Sequence, residues 1–211
     1  MAILEDICTL LQQGRAPKVK ELVGQAIEEG VSPKQILEEG LLSGMSIVGE
    51  KFKNNEVFVP EVLIAARAMN AGIEILKPHL VSEGVESKGT AVIGTVKGDL
   101  HDIGKNLVKM MLEGKGLEVF DLGVDVDADT FVNAAKEHNA QIICCSALLT
   151  TTMGEMKNVV EKVAEAGMQD KVKIMIGGAP ITQSYCDSIG ADYYTSDAAS
   201  AADVALEICT H

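Results

Sequence analysis

The stretch that decides the fold runs from Gly94 to Leu112 and reads GTVKGDLHDIGKNLVKMML. The residues Thr90–Val96 are β-branched and apolar, which predicts a buried strand, whereas the apolar positions of Ile103–Leu112 have helical spacing. The sequence therefore predicts a strand, a Gly-containing loop and a helix, with His101 at the carboxyl end of the strand. Open α/β sheets bind their ligands at this place.

Further strand-like runs alternate with helical stretches in the rest of the C-terminal half; they are Glu118–Leu122, Gln141–Ser146, Val172–Ile176 and Ala191–Tyr194. Strands that alternate with helices form a parallel sheet covered on both faces and joined by right-handed crossovers. We expect a five-stranded sheet with flavodoxin-like strand order rather than the six-stranded dinucleotide fold. The predicted fold class is α/β, with a Rossmann-like domain over residues 89–211.

The first 80 residues predict helices only. Apolar positions at helical spacing indicate one helix that ends near Gly14 and a second that ends at Gly30. With two more helices and short connections, the simplest packing is a four-helix bundle. We expect this helical domain to cover residues 1–88, with a polar, Gly-containing linker at about 81–89.

The third and fourth helices have recognisable ends. Ser32 and the proline after it form a helix-start pattern, and the third helix is expected to continue to about Phe52. The fourth is expected to run from near Pro60 to about Lys77, because Pro78 would end it.

Composition excludes several classes of protein. The net charge of −13 argues against nucleic-acid binding, since a phosphate-binding face needs clustered Lys and Arg. The acidic N-terminus does not have the pattern of a signal peptide, and no apolar run approaches the roughly 20 residues that span a bilayer. The five cysteines include no C-x-x-C pair, which favours neither a disulfide framework nor a zinc site. A cytoplasmic protein without membrane contact is expected.

The chemistry is centred on His101. Asp99 lies two residues earlier, close enough to accept a hydrogen bond from one ring nitrogen and leave the other free to bind a metal. The segment D-L-H-D-I-G resembles the D-x-H-x-x-G motif of cobalamin-binding domains. This resemblance implies that His101 is the lower axial ligand of cobalt and that Asp99 accepts a hydrogen bond from it. It extends over nearly the whole chain, which is similar to the corrinoid proteins of methyltransferase systems and to the cobalamin-binding region of methionine synthase.

A second part of the resemblance is S-A-L-L-T-T-T, Ser146–Thr152, which follows the third strand. It resembles the S-x-L segment of cobalamin domains, which implies that Ser146 and Leu148 meet the cofactor tail. Thr152 stands where the family often has a serine that extends the relay, so His101, Asp99 and Thr152 are the predicted catalytic residues. Thr150 is a further predicted tail contact.

Glycines form the third part of the resemblance to cobalamin-binding domains. The resemblance implies that Gly104 lets the nucleotide tail pass close to the backbone, and that Gly177 and Gly178 admit the displaced lower base between sheet and helices. Tyr193 or Tyr194 is expected to line the same pocket. The predicted cofactor-binding set also includes three neighbours of His101, namely Gly98, Asp102 and Ile103.

The helical half resembles the cap of methyl-transferring cobalamin proteins, through G-M-S-I-V-G-E-K-F at Gly44–Phe52 and the following V-F-V-P-E-V. The resemblance implies that Phe52 and Val59 lie over the cobalt-bound methyl group. Such a cap excludes water and oxygen, and it must move aside when a partner enzyme binds.

These features predict a corrinoid protein that carries a methyl group on the cobalt of cobalamin. One expected partner is a substrate-specific methyltransferase, and the second passes the methyl group to tetrahydrofolate or coenzyme M; a reductive activase is a third. The chain is expected to be a subunit of this system and not an independent enzyme. The alternatives are the small subunit of a cobalamin-dependent mutase, a cobalamin-sensing regulator and, more remotely, a flavin or nucleotide module. The sequence leaves the methyl donor open.

Overall fold

The computed structural model describes residues 2–210, which form two compact units. One unit extends to Ser87 and includes Gly114–Gly116; the other comprises Lys88–Glu113 and the residues from Leu117 onward. None of the helices between residues 2 and 210 is long and apolar enough to cross a membrane.

The N-terminal unit is helical, as predicted. Its elements are α1 (Ala2–Gln12), α2 (Ala16–Glu28), α3 (Pro33–Gln35), a π-helical segment (Ile36–Leu42), α4 (Ser43–Lys53) and α5 (Val59–Ser82). The segments α3, π and α4 follow one another without a break, which confirms the predicted third helix. Its start is also confirmed, because the Ser32 hydroxyl accepts a hydrogen bond from the Gln35 N–H at 3.3 Å.

Two glycines allow the π segment and α4 to approach α1 closely. A Cβ atom at Gly40 would lie 3.1 Å from Ile7 Cγ2, and one at Gly44 would lie 3.1 Å from the Cys8 carbonyl oxygen. Ile7 and Leu11 of α1 are fully buried in this contact region. Gly44, which was predicted as part of a cap motif, thus has a packing role within the helical unit.

The predicted end of the fourth helix before Pro78 is wrong, because α5 continues through this proline to Ser82. Proline removes one backbone donor, but the rest of the hydrogen-bond ladder can continue. The stop signal is Gly84, whose φ of +66° is left-handed. The Val85 N–H then donates to the Leu80 carbonyl at 3.0 Å, as in a Schellman motif. The first two residues of the expected 81–89 linker are therefore helical.

The C-terminal unit alternates strands and helices. The strands are β1 (Thr90–Thr95), β2 (Glu118–Asp121), β3 (Ile142–Ser146), β4 (Lys173–Gly177) and β5 (Tyr193–Tyr194). The helices are α6 (Ile103–Gly114), α7 (Ala128–Glu137), α8 (Glu155–Glu165), α9 (Gln183–Ile189) and α10 (Ala198–Thr210). The described strands form one parallel sheet with the order β2-β1-β3-β4-β5, which confirms the flavodoxin-like prediction.

Residues paired across β1, β3 and β4 form rows that face opposite sides of the sheet. One row belongs to the core under α7, α8 and α9, and it consists of Val92, Ile143 and Ile174. The next row lies on the side of α6 and α10, and it consists of Ile93, Cys144 and Met175. Because both faces are covered, the central strands are almost continuously apolar.

The carboxyl ends of three strands meet in register. Thr95 of β1 pairs with Ser146 of β3, which pairs with Gly177 of β4. The chain leaves β1 toward β2 on one side, while β3 neighbours β1 on the other, so their loops diverge at a topological switch point. The Val96 N–H donates to the Ser146 carbonyl at 3.0 Å and joins the two loops at their origin.

A buried ion pair fastens α6 to the end of β2. Lys105 is only 3% exposed, and its Nζ lies 2.5 Å from Asp121 Oδ1, while Lys109 Nζ lies 3.6 Å from Oδ2. Burial alone would raise the pKa of Asp121, but the hydrogen bonds from Lys105 and the Gly123 N–H and the two lysine charges lower it overall.

We expect Asp121→Ala to lower the free energy of unfolding by about 3 kcal/mol, because it leaves the Lys105 ammonium buried without its partner. Lys105→Met should cost clearly less, since it removes the buried charge and keeps the volume. Chemical denaturation at pH 7 measures both values, with Glu21→Ala in the exposed Lys18 pair as the control. Equal losses in the two main variants would contradict this account.

Candidate functional site

A tight turn begins the site at the end of β1. The Asp99 N–H donates to the Val96 carbonyl at 3.1 Å, and Gly98, the third residue of this turn, has a φ of +80°. Glycine at this position is characteristic of a type II turn. The turn directs the Asp99 side chain back under the loop, where it is fully buried.

The Asp99 carboxylate accepts hydrogen bonds from two loops. Oδ1 accepts from the His101 N–H at 3.1 Å and lies 2.7 Å from His101 Nδ1. Oδ2 accepts from the N–H groups of Leu148 and Leu149 at 2.8 and 3.2 Å. It also accepts from the Thr152 hydroxyl at 2.8 Å. His101, Asp99 and Thr152, the three residues predicted to act together, therefore lie in one hydrogen-bonded row.

The electrostatics of this row fix the tautomer of His101. Burial alone would raise the pKa of Asp99, but the hydrogen bonds donated by Leu148, His101 and Thr152 outweigh it and hold the pKa well below its ordinary value. An ionised carboxylate can only accept hydrogen bonds, so Nδ1 of His101 must carry a proton. In the neutral ring, Nε2 then has a free lone pair, which is the state required of a metal ligand.

The ring of His101 lies at an apolar surface. Its side chain is 51% exposed, in contrast to the buried carboxylate that holds it. Four exposed apolar residues belong to the same two loops, namely Leu100, Ile103, Leu148 and Leu149. Exposed apolar patches of this kind mark binding surfaces. Ile103 and Leu148 were predicted from the sequence, whereas Leu100 and Leu149 were not, because only their position beside the motif marks them.

Two further polar residues support the loop and were missed. The buried Thr95 hydroxyl donates to the His101 carbonyl at 2.9 Å. Asp125, from the segment between β2 and α7, accepts a hydrogen bond from the Gly98 N–H at 2.7 Å. A polar residue at the end of a buried strand was a usable signal for Thr95. Asp125 lies 26 residues after Asp99 in sequence and gave no such signal.

Behind the loop, a cavity of about 280 Å³ opens between the sheet and helices α6 and α10. Its floor is the row Ile93, Cys144 and Met175. Its rim contains five of the residues predicted to contact the cofactor tail, namely Gly104, Ser146, Gly177, Gly178 and Tyr194. Of the two tyrosines, Tyr194 lines this cavity, whereas Tyr193 lines a separate depression with Gln141 and Glu207.

Two of the glycines that line the cavity have different surroundings. A Cβ atom at Gly104 would have no described neighbour within 4 Å, so any side chain there would occupy open space at the rim. Gly178 has a φ of +132°, and a Cβ atom there would collide with the Ala147 carbonyl. Glycine at 104 thus leaves the rim open, and glycine at 178 allows the backbone to pass close to Ala147. The residues present thus fit the base and nucleotide tail of a corrinoid.

The two cysteines of β3 line the cavity as unreactive side chains. Cys144 and Cys145 both line the cavity. Burial raises the pKa of Cys144 to about 12 and that of Cys145 further still, so both thiols stay neutral. They act as small apolar side chains.

Other predicted residues lie elsewhere. The described residues that line the cavity do not include Gly98, Asp102 or Thr150. Gly98 belongs to the turn, Asp102 directly precedes α6, and Thr150 is exposed after β3. Phe52, near the end of α4, and Val59, at the start of α5, are half-buried within the helical unit. Leu148, predicted as a tail contact, is also not among the described residues that line the cavity, and the cofactor contacts expected of all the predicted residues stay predictions.

A flavodoxin-like sheet with a carboxylate-held histidine at its switch point and an apolar slot beside it has the architecture of a B12-binding domain. Two family models, both described as a B12 binding domain, match residues 89–206 and residues 3–77.

Relatives agree over both units. The chain is 47% identical over 190 residues to trimethylamine corrinoid protein 1 of Methanosarcina acetivorans, covering 89% of this chain and 87% of the relative. It is 44% identical over 213 residues to dimethylamine corrinoid protein 2 of the same organism, covering 99% and 98%. Among solved structures, it resembles the methanol:cobalamin methyltransferase complex MtaBC from Methanosarcina barkeri, with a TM-score of 0.89 and 31% identity over 99% of this chain and 80% of that chain.

The chain therefore belongs to the family of B12-binding corrinoid proteins, which carry methyl groups within methyltransferase systems. Its cofactor is cobalamin or a related corrinoid.

We expect Asp99→Asn to lower the free energy of unfolding at pH 7 by at least about 2 kcal/mol, because the amide NH₂ would face donors whichever way it is turned. The folded-state pKa of Asp99 is depressed, so its stabilising contribution is complete above the unfolded pKa of about 3.9 and is lost as pH falls below it. The difference in the free energy of unfolding between wild type and variant should therefore become smaller from pH 7 to pH 3, as measured by denaturant titrations.

Asp102→Asn is the matched control, since it makes the same change at an exposed position of the same loop. If Asp99→Asn lowered the free energy of unfolding by the same amount across this pH range, the depressed pKa of Asp99 would be contradicted.

Proposed function

We propose that this chain carries a methyl group on its corrinoid between two enzymes. A substrate-specific methyltransferase loads the group, and a second methyltransferase passes it to tetrahydrofolate or coenzyme M. The observation that carries the proposal is the row of Thr152, Asp99 and His101, which leaves Nε2 free at the apolar edge of the sheet. The relatives named as corrinoid proteins favour this function over the mutase and regulator alternatives.

In this proposal Nε2 of His101 would bind the cobalt of the corrinoid. The corrinoid, when bound, supplies a cobalt centre that accepts and releases a methyl group. The protein holds the imidazole for that centre: Asp99 keeps a proton on Nδ1, so Nε2 remains the donor atom. The Thr152 hydroxyl and the N–H groups of Leu148 and Leu149 stabilise the negative charge of the carboxylate.

The cavity between the sheet and α6 and α10 is the proposed site of the nucleotide tail. Its apolar floor suits a displaced aromatic base, and Ser146 supplies a hydroxyl at its mouth. Gly104 leaves the rim of this cavity open, and Gly178 allows the chain after β4 to pass close to Ala147. These residues would hold the tail, and His101 would then bind the metal.

The proposed donor class is a methylated amine. Support comes from the relatives named for trimethylamine and dimethylamine, which are 47% and 44% identical, whereas the methanol complex is 31% identical. The methanol complex also supports a methyltransferase as direct partner. The net charge of −13 favours a partner with a basic docking surface. A reductive activase completes the proposed set of partners.

We expect the full chain, reconstituted with cobalamin under anaerobic reducing conditions and then oxidised, to have the visible spectrum of a base-off, histidine-ligated corrinoid. His101→Ala should keep the cofactor, because the tail cavity is intact, but lose the spectral features of histidine ligation. The matched control is His79→Ala, at an exposed position of the helical unit. An unchanged spectrum in His101→Ala would refute the ligand assignment.

The donor class has its own test. The reduced, loaded chain is mixed with methyltransferases specific for trimethylamine, dimethylamine or methanol, each with its substrate, and the visible spectrum reports methylation. We expect methylation with an amine-specific enzyme and at least about tenfold slower methylation with the methanol enzyme, as when a docking interface is mismatched by about 1.4 kcal/mol. Fast methylation by the methanol enzyme alone would overturn the amine assignment.

A further inference from the structure

Asp125 has an unusual backbone conformation beside the site. Its φ is +56°, in the left-handed region, which non-glycine residues rarely adopt. Asp and Asn tolerate this region better than other side chains, and glycine adopts it freely. The residue lies between β2 and α7, in a segment joined to β1 by the hydrogen bond from the Val126 N–H to the Thr95 carbonyl at 3.0 Å.

Two hydrogen bonds connect Asp125 with the turn that carries Asp99. The Gly98 N–H donates to Asp125 Oδ1 at 2.7 Å, a short distance that is typical of charge-assisted bonds. The Asp125 N–H donates to the Asp99 carbonyl at 3.0 Å. Asp125 thus binds the Gly98 N–H, one residue before Asp99, and the carbonyl of Asp99 itself.

These bonds control where the Asp99 carboxylate lies. Its Oδ1 meets the His101 ring, and its Oδ2 meets donors of the β3 loop, of which Leu148 N–H and the Thr152 hydroxyl both lie at 2.8 Å. A carboxylate that serves both loops tolerates little displacement, because hydrogen bonds weaken steeply with distance and angle. Rotation of the Lys97–Gly98 or Asp99–Leu100 peptide, which the two Asp125 bonds restrain, would move the carboxylate away from one of these sets of donors.

We propose that Asp125 is a positioning residue for the Asp99–His101 pair: its side chain fixes the turn so that the carboxylate holds the imidazole in one orientation. Asp125 is not a ligand, and it acts through the Gly98 amide. The inference rests on the proposed function only in treating His101 as the metal ligand. The hydrogen bond from Nδ1 to Asp99 can be measured without any cofactor.

The variants separate the side chain from the backbone. Asp125→Asn keeps an oxygen acceptor for the Gly98 N–H and tolerates the positive φ. Asp125→Gly adopts that φ without strain but removes the acceptor. If Asp125 mattered only for the chain conformation, Asp125→Gly would behave like wild type. If its side chain positions the turn, only Asp125→Asn would behave like wild type. Asp125→Ser is a second test should Asp125→Gly fail to fold, because its shorter side chain has a polar group that cannot span the same distance.

Two measurements use the full chain. In the protein without cofactor, nitrogen-15 NMR records the Nδ1 proton of His101 and its exchange rate, assigned by comparison with His101→Gln. In the protein loaded with hydroxocobalamin, the visible spectrum at fixed pH gives the ratio of histidine-ligated to unligated cofactor. Melting curves establish that each variant is folded.

We expect wild type and Asp125→Asn to behave alike in both measurements. In Asp125→Gly the Nδ1 proton should exchange at least about tenfold faster, and the ligated-to-unligated ratio should fall about tenfold, at the lower end of the effect of outer-sphere partners on metal sites. Asp125→Gly with wild-type values in both measurements would overturn the inference. If the wild type has no histidine-ligated spectrum but Asp125→Gly still accelerates exchange, the proposed function fails while the positioning role stands.

Discussion

A single buried carboxylate organises the functional half of this protein. Asp99 is fully buried, and a charge removed from water is tolerated only when hydrogen bonds replace its hydration. Its two oxygens meet donors from two loops, which leave β1 and β3 in different directions. The hydrogen bonds that the buried Asp99 carboxylate requires therefore bring these loops together. The imidazole of His101 is held as a consequence of this requirement.

The strand order explains why this carboxylate can be reached from both sides. In the order β2-β1-β3-β4-β5, the switch point lies between β1 and β3, where a crevice opens at the carboxyl edge. The register then aligns Thr95, Ser146 and Gly177. The segments that follow β1, β3 and β4 therefore start at the same level of the sheet. The slot for the cofactor tail follows from small residues at this edge and from an apolar row beneath it.

The differences between the sequence-based predictions and the structure have several causes. Pro78 did not end α5, because a single missing donor was outweighed by continuation of the helix to the left-handed Gly84. The π segment at Ile36–Leu42 has no distinct sequence pattern, since it continues an apolar helical stretch. The role of Asp125 could not be predicted, because its partner, the Gly98 N–H, is a backbone group that carries no sequence information. Such contacts exist only after the loops have been brought together.

The sequence by itself determined the alternation of strands and helices, the glycine positions and the motif around His101. These features depend on local periodicity, on turn chemistry and on residue types that few other functions require together. Tertiary structure alone decided which of two tyrosines lines the slot, how far Asp99 is buried and which nitrogen of His101 carries a proton. The physical reason is that burial and hydrogen bonding are properties of groups distant in sequence, and they appear only when β1, β2 and β3 share one edge.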